Sequence, residues 1–590
     1  MPIKPDQPNE PEPVSSAAEA MGRRMFAFHA PIRTNTAGVT WSGILLMSFP
    51  WFCVLFHVFV AGTAITYTIK HYTNDPQIIT GVLSIAGIVG LFIGPIVSFL
   101  SDRIWTRIGR RKPFILITWM SAAIGLALIP LVPVIGPALN SVLQPFGVPY
   151  IKDFFLLATI IVSYGILGSF QGPLEPLCLE VVPAAQRGRY WAMRNILGNL
   201  ACIYFFQILW PYYDVSVPLI STAWLHVELT GEQMIYVMAS GLFAINSIYL
   251  MVNIKETRIP TAENLKFREI KVWPFVKAFI LDVFGDKRWY PLYIIIVIPG
   301  IAAAVWGTMN NVMQTDQFGY SKPNMAMMGL PPMVLSMLFI TPFAGWYSDR
   351  KPSIKGPLMA LLILVGFGTL GAMFWIYQGL VLPNKLELPS LEMCFLLTGL
   401  IAVSTICFFV VIIELVLKFA NRDDMRAWIA TLAIVKDIVF TLFMYLLINK
   451  GSEGGVPSIT LWMVVGQLSG TSGALINVVV GPMIFEYIPS NRFGTVAAGS
   501  GILGGIMTAI TANLGSWWIK YYTFHLSPDH AQAVLDQAAG LVVKYDYTCL
   551  YLLQLGIVPI SLAAQVFFLY LVIKGKLIPY GRMKDSNAAA

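Results

Sequence analysis

The sequence predicts an all-α polytopic membrane protein with 14 transmembrane helices, arranged as two six-helix halves with an inserted helix pair. Of its 590 residues, 56% are hydrophobic and only 12% are charged, and the mean hydropathy is +0.69. A soluble domain of this length does not carry so much apolar surface. Fourteen apolar runs are long enough to span a bilayer as helices, and motifs of the first half return in the second.

The apolar runs follow one another along the chain, and each reaches roughly the 20 residues that a membrane helix needs. The first six cover residues 41–67, 77–100, 113–134, 153–182, 191–212 and 233–254. The other eight cover residues 291–312, 325–346, 357–377, 391–419, 427–448, 458–485, 493–521 and 549–573.

The basic residues test this count, because cytosolic loops collect Lys and Arg while external loops do not. With a cytosolic N-terminus, the inward segments and adjoining run ends hold 31 of the 39 basic residues and the outward ones hold seven, and only Lys436 lies deep within a run. A missed or extra helix would invert this alternation further along the chain. The pattern therefore predicts cytosolic termini at both ends. Since the basic residues follow the membrane, the net charge of +8 does not indicate a nucleic-acid partner.

These runs divide the chain into segments. We predict a disordered cytosolic tail (1–40), an N-terminal six-helix half (41–254), a cytosolic central loop (255–290), a C-terminal half (291–573) with the inserted pair at 391–448, and a cytosolic tail (574–590). The first segment lacks the apolar stretch of a cleavable signal peptide. The six cysteines have no spacing typical of a metal site or a disulfide, so they are interpreted as small core residues.

A short acid-then-base motif occurs in both halves. Asp102 and Arg103 close the second run, and Asp349 and Arg350 stand at the corresponding place in the second half. An Asp at the cytosolic end of a helix accepts backbone hydrogen bonds and pairs with bases, while Arg and Lys stay at the headgroups.

A second repeat sets the register of the halves. Glu180 and Glu486 each follow a Gly-Pro pair, precede a Pro by three residues, and are followed by Arg and Gly. This match makes the runs between 391 and 448 an insertion. An alternative register that uses Glu414 and Arg422 lacks the Gly-Pro pair and the terminating Pro.

Together these features resemble the major facilitator superfamily, and the resemblance extends from about residue 41 to 573 apart from the inserted pair. It implies the major facilitator fold. The family's loop motif, Gly-x-x-x-Asp-Arg-x-Gly-Arg-Arg, is altered here, because Ser98 replaces the first Gly and five residues separate Arg103 from Gly109. The longer loop, which continues through Arg110 and Arg111, is similar to that of glycoside and sucrose cation symporters.

Charged side chains within membrane runs are rare and are functional candidates by default. We interpret Glu180 and Glu486 as gating residues that lock the inward-closed state through Arg103 or Arg110, and through Arg350. The alternative is that these acids only support helix packing at headgroup level. Glu414 and the neighbouring Lys436 and Asp437 lie on the inserted pair, where mutual neutralisation is favoured.

Glu175 lies eight residues before Pro183, roughly 12 Å deeper in the membrane. Desolvation there favours reversible protonation, so Glu175 is the predicted proton-coupling residue. Its alternative role is a hydrogen bond to a neighbouring helix.

The resemblance implies that the first and fourth helices of each half line a substrate cavity. The candidates for substrate binding are His57, Trp306, Asn310, Asn311 and Asn477. Amide groups and an indole ring suit a sugar, since hydroxyls need donors and acceptors while a sugar face stacks on an aromatic ring. The Trp and Asn side chains are also typical of interface anchors.

The predicted function is secondary active transport in the inner or plasma membrane, with proton- or cation-coupled symport of a glycoside or oligosaccharide. No catalytic residue, metal or cofactor is predicted, and the phosphate loop of an ATPase is absent from the sequence. The alternatives are an efflux antiporter, a muropeptide-type permease and a non-transporting receptor. A membrane-embedded glycosyltransferase is less favoured, because the external cluster of His525, Asp529 and His530 is weak.

Overall fold

The computed structural model of the chain consists mainly of long helices. It describes residues 40–103, 106–146, 149–174, 187–221, 226–254, 287–305, 309–343, 390–419 and 493–574, with single residues or short runs between 177 and 182, 277 and 285, and 431 and 467. In this described portion, seven helices are long and apolar enough to cross a membrane, and two shorter apolar helices accompany them. The predicted fold class, a helical multi-pass membrane protein, is confirmed.

We call residues 41–254 the N-terminal part, and its described residues include six long helices. They are α1 (Trp41–Lys70), α2 (Pro76–Arg103), α3 (Lys112–Phe146), α4 (Asp153–Gly168), α5 (Arg187–Ile203) and α6 (Gly231–Asn253). A π-helical turn at Val60–Ala64 interrupts α1. α5 continues through a π-helical turn at Tyr204–Leu209 and a 3₁₀ turn at Trp210–Tyr212. Such turns re-aim the side chains that follow them and are frequent at functional sites.

We call residues 290–573 the C-terminal part. It starts one residue before the predicted half, because its first helix begins at Tyr290. Its described helices are α7 (Tyr290–Ala304), α8 (Met309–Asp316), α9 (Lys322–Phe343), α10 (Leu391–Phe419), α11 (Phe493–His525), the short α12 (His530–Ala538) and α13 (Cys549–Ile573).

Several helices start where the local sequence supplies a cap. The hydroxyl of Thr230 accepts from the backbone N–H of Gln233, whose side chain in turn accepts from the N–H of Thr230, and α6 begins at the next residue. The hydroxyl of Ser321 accepts from the N–H of Asn324 in the same way before α9. These caps fix the starts of two helices whose first turns carry charged residues.

A two-stranded antiparallel hairpin connects α5 and α6. It pairs β1 (Ser216–Ser221) with β2 (His226–Thr230), with Ser216 opposite Thr230. This hairpin is an addition to the helices that the apolar runs predicted.

Helix packing joins the two parts of the chain. In the N-terminal part, α1 packs against α5 and α6, α3 packs against α4 and α6, and α2 packs against α4. In the C-terminal part, α11 packs against α7 and α13, and α9 packs against α10. Contacts of α2 with α11, and of α5 with α9, cross between the parts. The largest fully buried side chains include Trp119, Trp210, Tyr190 and Tyr236.

The helix bounds follow the apolar runs closely. α10 and α13 coincide with the predicted runs, whereas α3 continues 12 residues beyond the predicted end at Val134. Pro130 and Pro133 stand in the first turns of the segments that extend α3, where proline is tolerated. The runs 357–377, 427–448 and 458–485 lie wholly or mostly outside the described residues. The full count of fourteen spans and the inserted pair stay predictions.

Candidate functional site

His57 lies in the middle of α1, among aromatic rings of its own part of the chain. Its ring meets Tyr164 of α4 and Phe243 of α6 edge-on, with centroid distances of 5.7 and 5.3 Å. Its Nε2 atom is buried and has no hydrogen-bond partner within the described residues. An unsatisfied buried nitrogen is costly, so this atom is a candidate for ligand contact.

Asn311 of α8 contacts α1 at Thr63. Thr63 follows His57 by six residues, which is about 9 Å along the helix. The side-chain amide of Asn311 donates to the hydroxyl of Thr63 at 2.9 Å, and its backbone carbonyl oxygen accepts from the hydroxyl of Tyr67 at 2.9 Å. Asn310 beside it is partly exposed. The structure thus uses Asn311 to hold α8 against α1, whereas the ring contacts of His57 are with α4 and α6.

Several predicted site residues lie outside the described residues. These are Trp306, Asn477, Glu175, Glu180, Asp349, Arg350 and Glu486. Asp102 and Arg103 are the last two residues of α2. The roles assigned to all of these residues stay predictions.

The loop between α2 and α3 makes a tight turn that requires glycine. Gly109 has a φ of 124°, a conformation that L side chains rarely adopt. Thr106 and Gly109 exchange backbone hydrogen bonds of 3.0 and 3.2 Å.

The bases that follow this turn are covered by protein. Arg110, Arg111 and Lys112 are 8%, 5% and 5% exposed, whereas Arg107 within the turn is exposed. The sequence did not predict that protein covers these three bases, and their position at the headgroups stays a prediction. Burying three positive charges at the start of a helix is unfavourable, because both desolvation and the helix dipole oppose it. We therefore expect acidic side chains beside Arg110, Arg111 and Lys112.

At the opposite end of α2, ion pairs bridge the two parts of the chain. We call this the bridged end, formed by the end of α1, the starts of α2 and α9, and the ends of α8 and α11. The bridges are Lys70 Nζ to Asp316 Oδ2 at 2.5 Å, Lys322 Nζ to Asp214 Oδ1 at 2.6 Å, and Lys520 Nζ to Asp75 Oδ2 at 2.6 Å. In every pair, one partner belongs to the N-terminal part and the other to the C-terminal part.

Uncharged hydrogen bonds reinforce the same end. The hydroxyls of Thr80 on α2 and Ser516 on α11 are buried and 2.5 Å apart. The hydroxyls of Tyr67 and Thr315 are 2.8 Å apart, and the side-chain amide of Gln207 donates to the carbonyl oxygen of Ala326. Partly exposed ion pairs contribute only about 0.2–1 kcal/mol each, so the three bridges add modest stability to the packing at this end.

Lys322 has the most specialised setting of the bridging residues. Both carboxylate oxygens of Asp214 accept from its ammonium group, at 2.6 and 2.7 Å. The same Nζ atom lies 4.0 Å from the ring centroid of Tyr213, 5.0 Å from that of Tyr67 and 5.2 Å from that of Trp210. Distances under about 6 Å are those of cation–π attraction.

A partly exposed carboxylate, Glu232, lies in the first turn of α6 beside this group. His71 Nε2 is 3.2 Å from its Oε2 atom, and the Thr68 hydroxyl donates to its Oε1 atom. The Glu232 hydrogen bond raises the pKa of His71, which lies just beyond α1, above its ordinary value. α6 starts here without obstruction only because residue 231 is glycine, since a Cβ there would lie 1.7 Å from the carbonyl oxygen of Tyr212.

The loop between α12 and α13 is fixed to the same end by Asp546. Its Oδ1 atom accepts from the Gln317 amide at 3.0 Å and from the Thr548 hydroxyl at 2.6 Å. The backbone N–H of Tyr547 donates to Gln317 in return, at 2.9 Å. In the described portion, no group of three or more His, Cys, Asp or Glu side chains is placed to hold a metal ion.

Sequence reasoning overlooked the bridged end, although a signal was present. Three of the seven outward basic residues, Lys70, Lys322 and Lys520, are the bridging lysines. An outward Lys is unexpected under the positive-inside rule, so each such residue indicates that an acid partner lies nearby. Arg194, counted with the inward bases, was also missed, and its guanidinium carbon lies 3.7 Å from the ring centroid of Trp51.

Comparisons with known proteins bear on the N-terminal part most directly. The family model described as Major Facilitator Superfamily matches residues 2–206. A comparison with curated protein sequences finds no match.

Solved structures of transporters are similar to the chain over most of its length. The nucleoside transporter NupG is 13% identical with a TM-score of 0.48, covering 89% of this chain and 98% of its own. A POT family transporter in complex with 5-aminolevulinic acid is 10% identical with a TM-score of 0.47, covering 92% and 99%. A bacterial homologue of the iron transporter ferroportin, in an outward-facing state, is 11% identical with a TM-score of 0.45, covering 90% and 99%.

Identities this low assign neither substrate nor coupling to the chain. The family match covers about a third of the sequence and includes the loop with Asp102, Arg103 and Gly109. This chain is therefore a multi-pass membrane protein whose residues 2–206 match the family model of the Major Facilitator Superfamily.

Proposed function

We propose that the protein is a secondary active transporter of the major facilitator superfamily that works by alternating access. The observation that carries this proposal is the bridged end, where three ion pairs each join the N-terminal part to the C-terminal part. Alternating access needs two bodies that separate at one membrane face while they close at the other. Bridges of modest strength between two parts suit such a cycle.

The loop between α2 and α3 is proposed as the counterpart of these bridges at the other end. Three buried bases, Arg110, Arg111 and Lys112, need acids nearby. We assign that role to Asp102 and Glu180, and in the C-terminal part we propose the equivalent pairing of the acids Asp349 and Glu486 with Arg350. No enzymatic step is proposed.

Substrate binding is assigned to residues between the two ends. The unsatisfied Nε2 atom of His57 supports a ligand contact at this residue. Trp306, Asn310 and Asn477 complete the proposed site, and Asn311 joins it once the bond to Thr63 breaks. Glu175 is proposed as the residue that loads and releases the coupling proton.

The proposed substrate is a glycoside or oligosaccharide, carried by proton- or cation-coupled symport. Its support is the long loop closing on Gly109 and Arg110, together with the amide and indole groups of the candidate site. The proposed location is the inner or plasma membrane, with both termini cytosolic and the bridged end outside.

Uptake into proteoliposomes tests this proposal. Labelled mono-, di- and oligosaccharides would be offered to reconstituted wild-type protein under an imposed pH gradient. Glu175→Gln is compared with Glu392→Gln, an exposed acid at the start of α10 that serves as the matched control. We expect gradient-driven uptake of one sugar, lost in Glu175→Gln with exchange retained, and unchanged in Glu392→Gln.

Other outcomes redirect the proposal. No uptake of any sugar would contradict the sugar assignment and lead to tests of drug efflux and of peptidoglycan fragments. Uptake that is equal in wild type and Glu175→Gln would contradict the coupling role of Glu175.

The proposed orientation places the bridged end outside the cell, so a membrane-impermeant thiol reagent should label Tyr72→Cys from outside. The six native cysteines are buried and should not compete for the reagent.

A further inference from the structure

Three aromatic rings and one acid of the N-terminal part form a cage around the ammonium group of Lys322. The rings of Tyr67, Trp210 and Tyr213 contact each other, with centroid distances of 5.1, 5.1 and 6.1 Å. All three side chains are buried, whereas the side chain of Asp214 is 67% exposed. The cage therefore has apolar walls and an acidic rim that faces water.

The cage is built without help from Lys322. Tyr213 follows Trp210 in a turn closed by the hydrogen bond from its N–H to the Trp210 carbonyl oxygen, at 3.1 Å. The carbonyl oxygen of Tyr213 accepts from the N–H of Glu232 at 3.0 Å, which ties the turn to α6. Tyr67 completes the triangle from α1. The Tyr67 hydroxyl also bonds to Asn311 and Thr315 of the C-terminal part. The ring–ring contacts and the bonds of the turn lie within the N-terminal part, so the cage is expected to persist when Lys322 leaves.

Lys322, in contrast, comes from the C-terminal part. It is the first residue of α9, where the helix dipole disfavours a positive charge. The cage and Asp214 offset this unfavourable position. Separation of the two parts at the bridged end would withdraw Lys322 and leave the rings and the acid facing water.

We propose that this cage is a binding site for a small ammonium cation, which Lys322 occupies in the closed arrangement. This inference goes beyond the proposed transport function. Ring faces attract ammonium groups through their quadrupoles, and sets of aromatic rings recognise quaternary ammonium ligands. Metal cations need several oxygen ligands, and the three ring faces supply none.

A free ammonium solute competes with Lys322 for the cage. The tethered lysine has a high effective concentration, so a free cation binds poorly to the closed wild-type protein. A solute that does bind holds the bridged end open. The cage thus makes the closure of this end sensitive to amines in the outer medium.

Equilibrium dialysis with radiolabelled tetramethylammonium tests the site directly in purified full-length protein. Lys322→Ala empties the cage, and we expect it to bind about tenfold more of the cation than wild type does. Lys520→Ala is the matched control, because it breaks another bridge of the same end and leaves the cage filled. It should bind no more than wild type.

Two double variants separate the cage from non-specific charge effects. Lys322→Ala combined with Trp210→Leu, or with Asp214→Asn, should lose the added binding. A folded Lys322→Ala protein that binds no more than wild type would overturn the proposal, as would double variants that bind equally well. Neither outcome bears on sugar uptake, so the transport proposal is tested separately.

A second measurement uses the wild-type protein and does not depend on the folding of Lys322→Ala. Tetramethylammonium should increase acylation of the Lys322 amine several-fold over sodium chloride of equal ionic strength, as read by mass spectrometry. Lys574, exposed near the C-terminus, is the internal reference. Equal acylation of Lys322 in both salts would contradict the competition.

Discussion

At the scale of single residues, burial decides which bases matter. Arg107 and Arg111 lie four residues apart in the same loop, yet the first is exposed and the second is 5% exposed. An exposed base contributes little to stability, whereas removing one partner of a buried charge network leaves the other uncompensated.

Arg111→Ala should therefore destabilise the protein by about 3 kcal/mol, because the acids proposed to neutralise this buried base would lose their counter-charge. Arg107→Ala should change stability by less than about 0.5 kcal/mol. Thermal unfolding in detergent, followed by circular dichroism, compares the two variants. Equal loss in both would show that burial does not set the role of Arg111.

His71 should make stability depend on pH. The hydrogen bond with Glu232 raises the pKa of His71 in the folded protein, so protonated His71 stabilises the fold. This contribution is complete below about pH 6.5, the ordinary value, and is lost as the pH rises through the raised folded pKa. Because His71 is more than half exposed, the effect should stay below about 1 kcal/mol.

Unfolding midpoints measured between pH 6 and pH 8.5 check this expectation. The midpoint of wild type should fall with rising pH, and His71→Gln should flatten that part of the profile. A slope that survives in His71→Gln would assign the pH dependence to another group.

At the scale of elements, the contact between α2 and α11 joins the two parts of the chain. Asp75 just before α2 pairs with Lys520 near the end of α11. The buried hydroxyls of Thr80 on α2 and Ser516 on α11 also form a hydrogen bond between the two helices. The ion pair is partly exposed, so salt should screen it.

A double-mutant cycle of Asp75→Asn and Lys520→Gln should give a coupling free energy of about 0.5–1 kcal/mol at low salt and less at high salt. The matched cycle of Asp529→Asn with Lys520→Gln should give no coupling free energy. Asp529 is an exposed acid in the segment between α11 and α12. Coupling of the same size in both cycles would mean that only the general field of the acids acts on Lys520.

The apolar runs predicted the helices well, because a span needs a length and a composition that few other segments have. α10 and α13 were predicted to the residue. The bridged end was not predicted, because its pairs join residues as far apart as Asp75 and Lys520. Hydropathy carries no information about which helix ends meet in space. The loop motif includes Gly109, which has a φ of 124°, yet the motif did not reveal that the next three bases are buried.

At the scale of the whole molecule, three partly exposed ion pairs join the two parts of the chain at the bridged end. The three bridging lysines lie on α1, α9 and α11, so they act on separate helices of both parts. Each contributes little alone. Their combined loss should shift the balance of the molecule toward separation at this end.

The most direct test is the distance across the bridged end, measured by pulsed electron paramagnetic resonance in reconstituted protein. Spin labels on Tyr72→Cys and Leu541→Cys report it, since both positions are exposed and the native cysteines are buried. We expect a short distance in wild type and a longer one enriched when Lys70, Lys322 and Lys520 are all replaced by Gln. A single unchanged distance in both proteins, with folding intact, would contradict alternating access through this end.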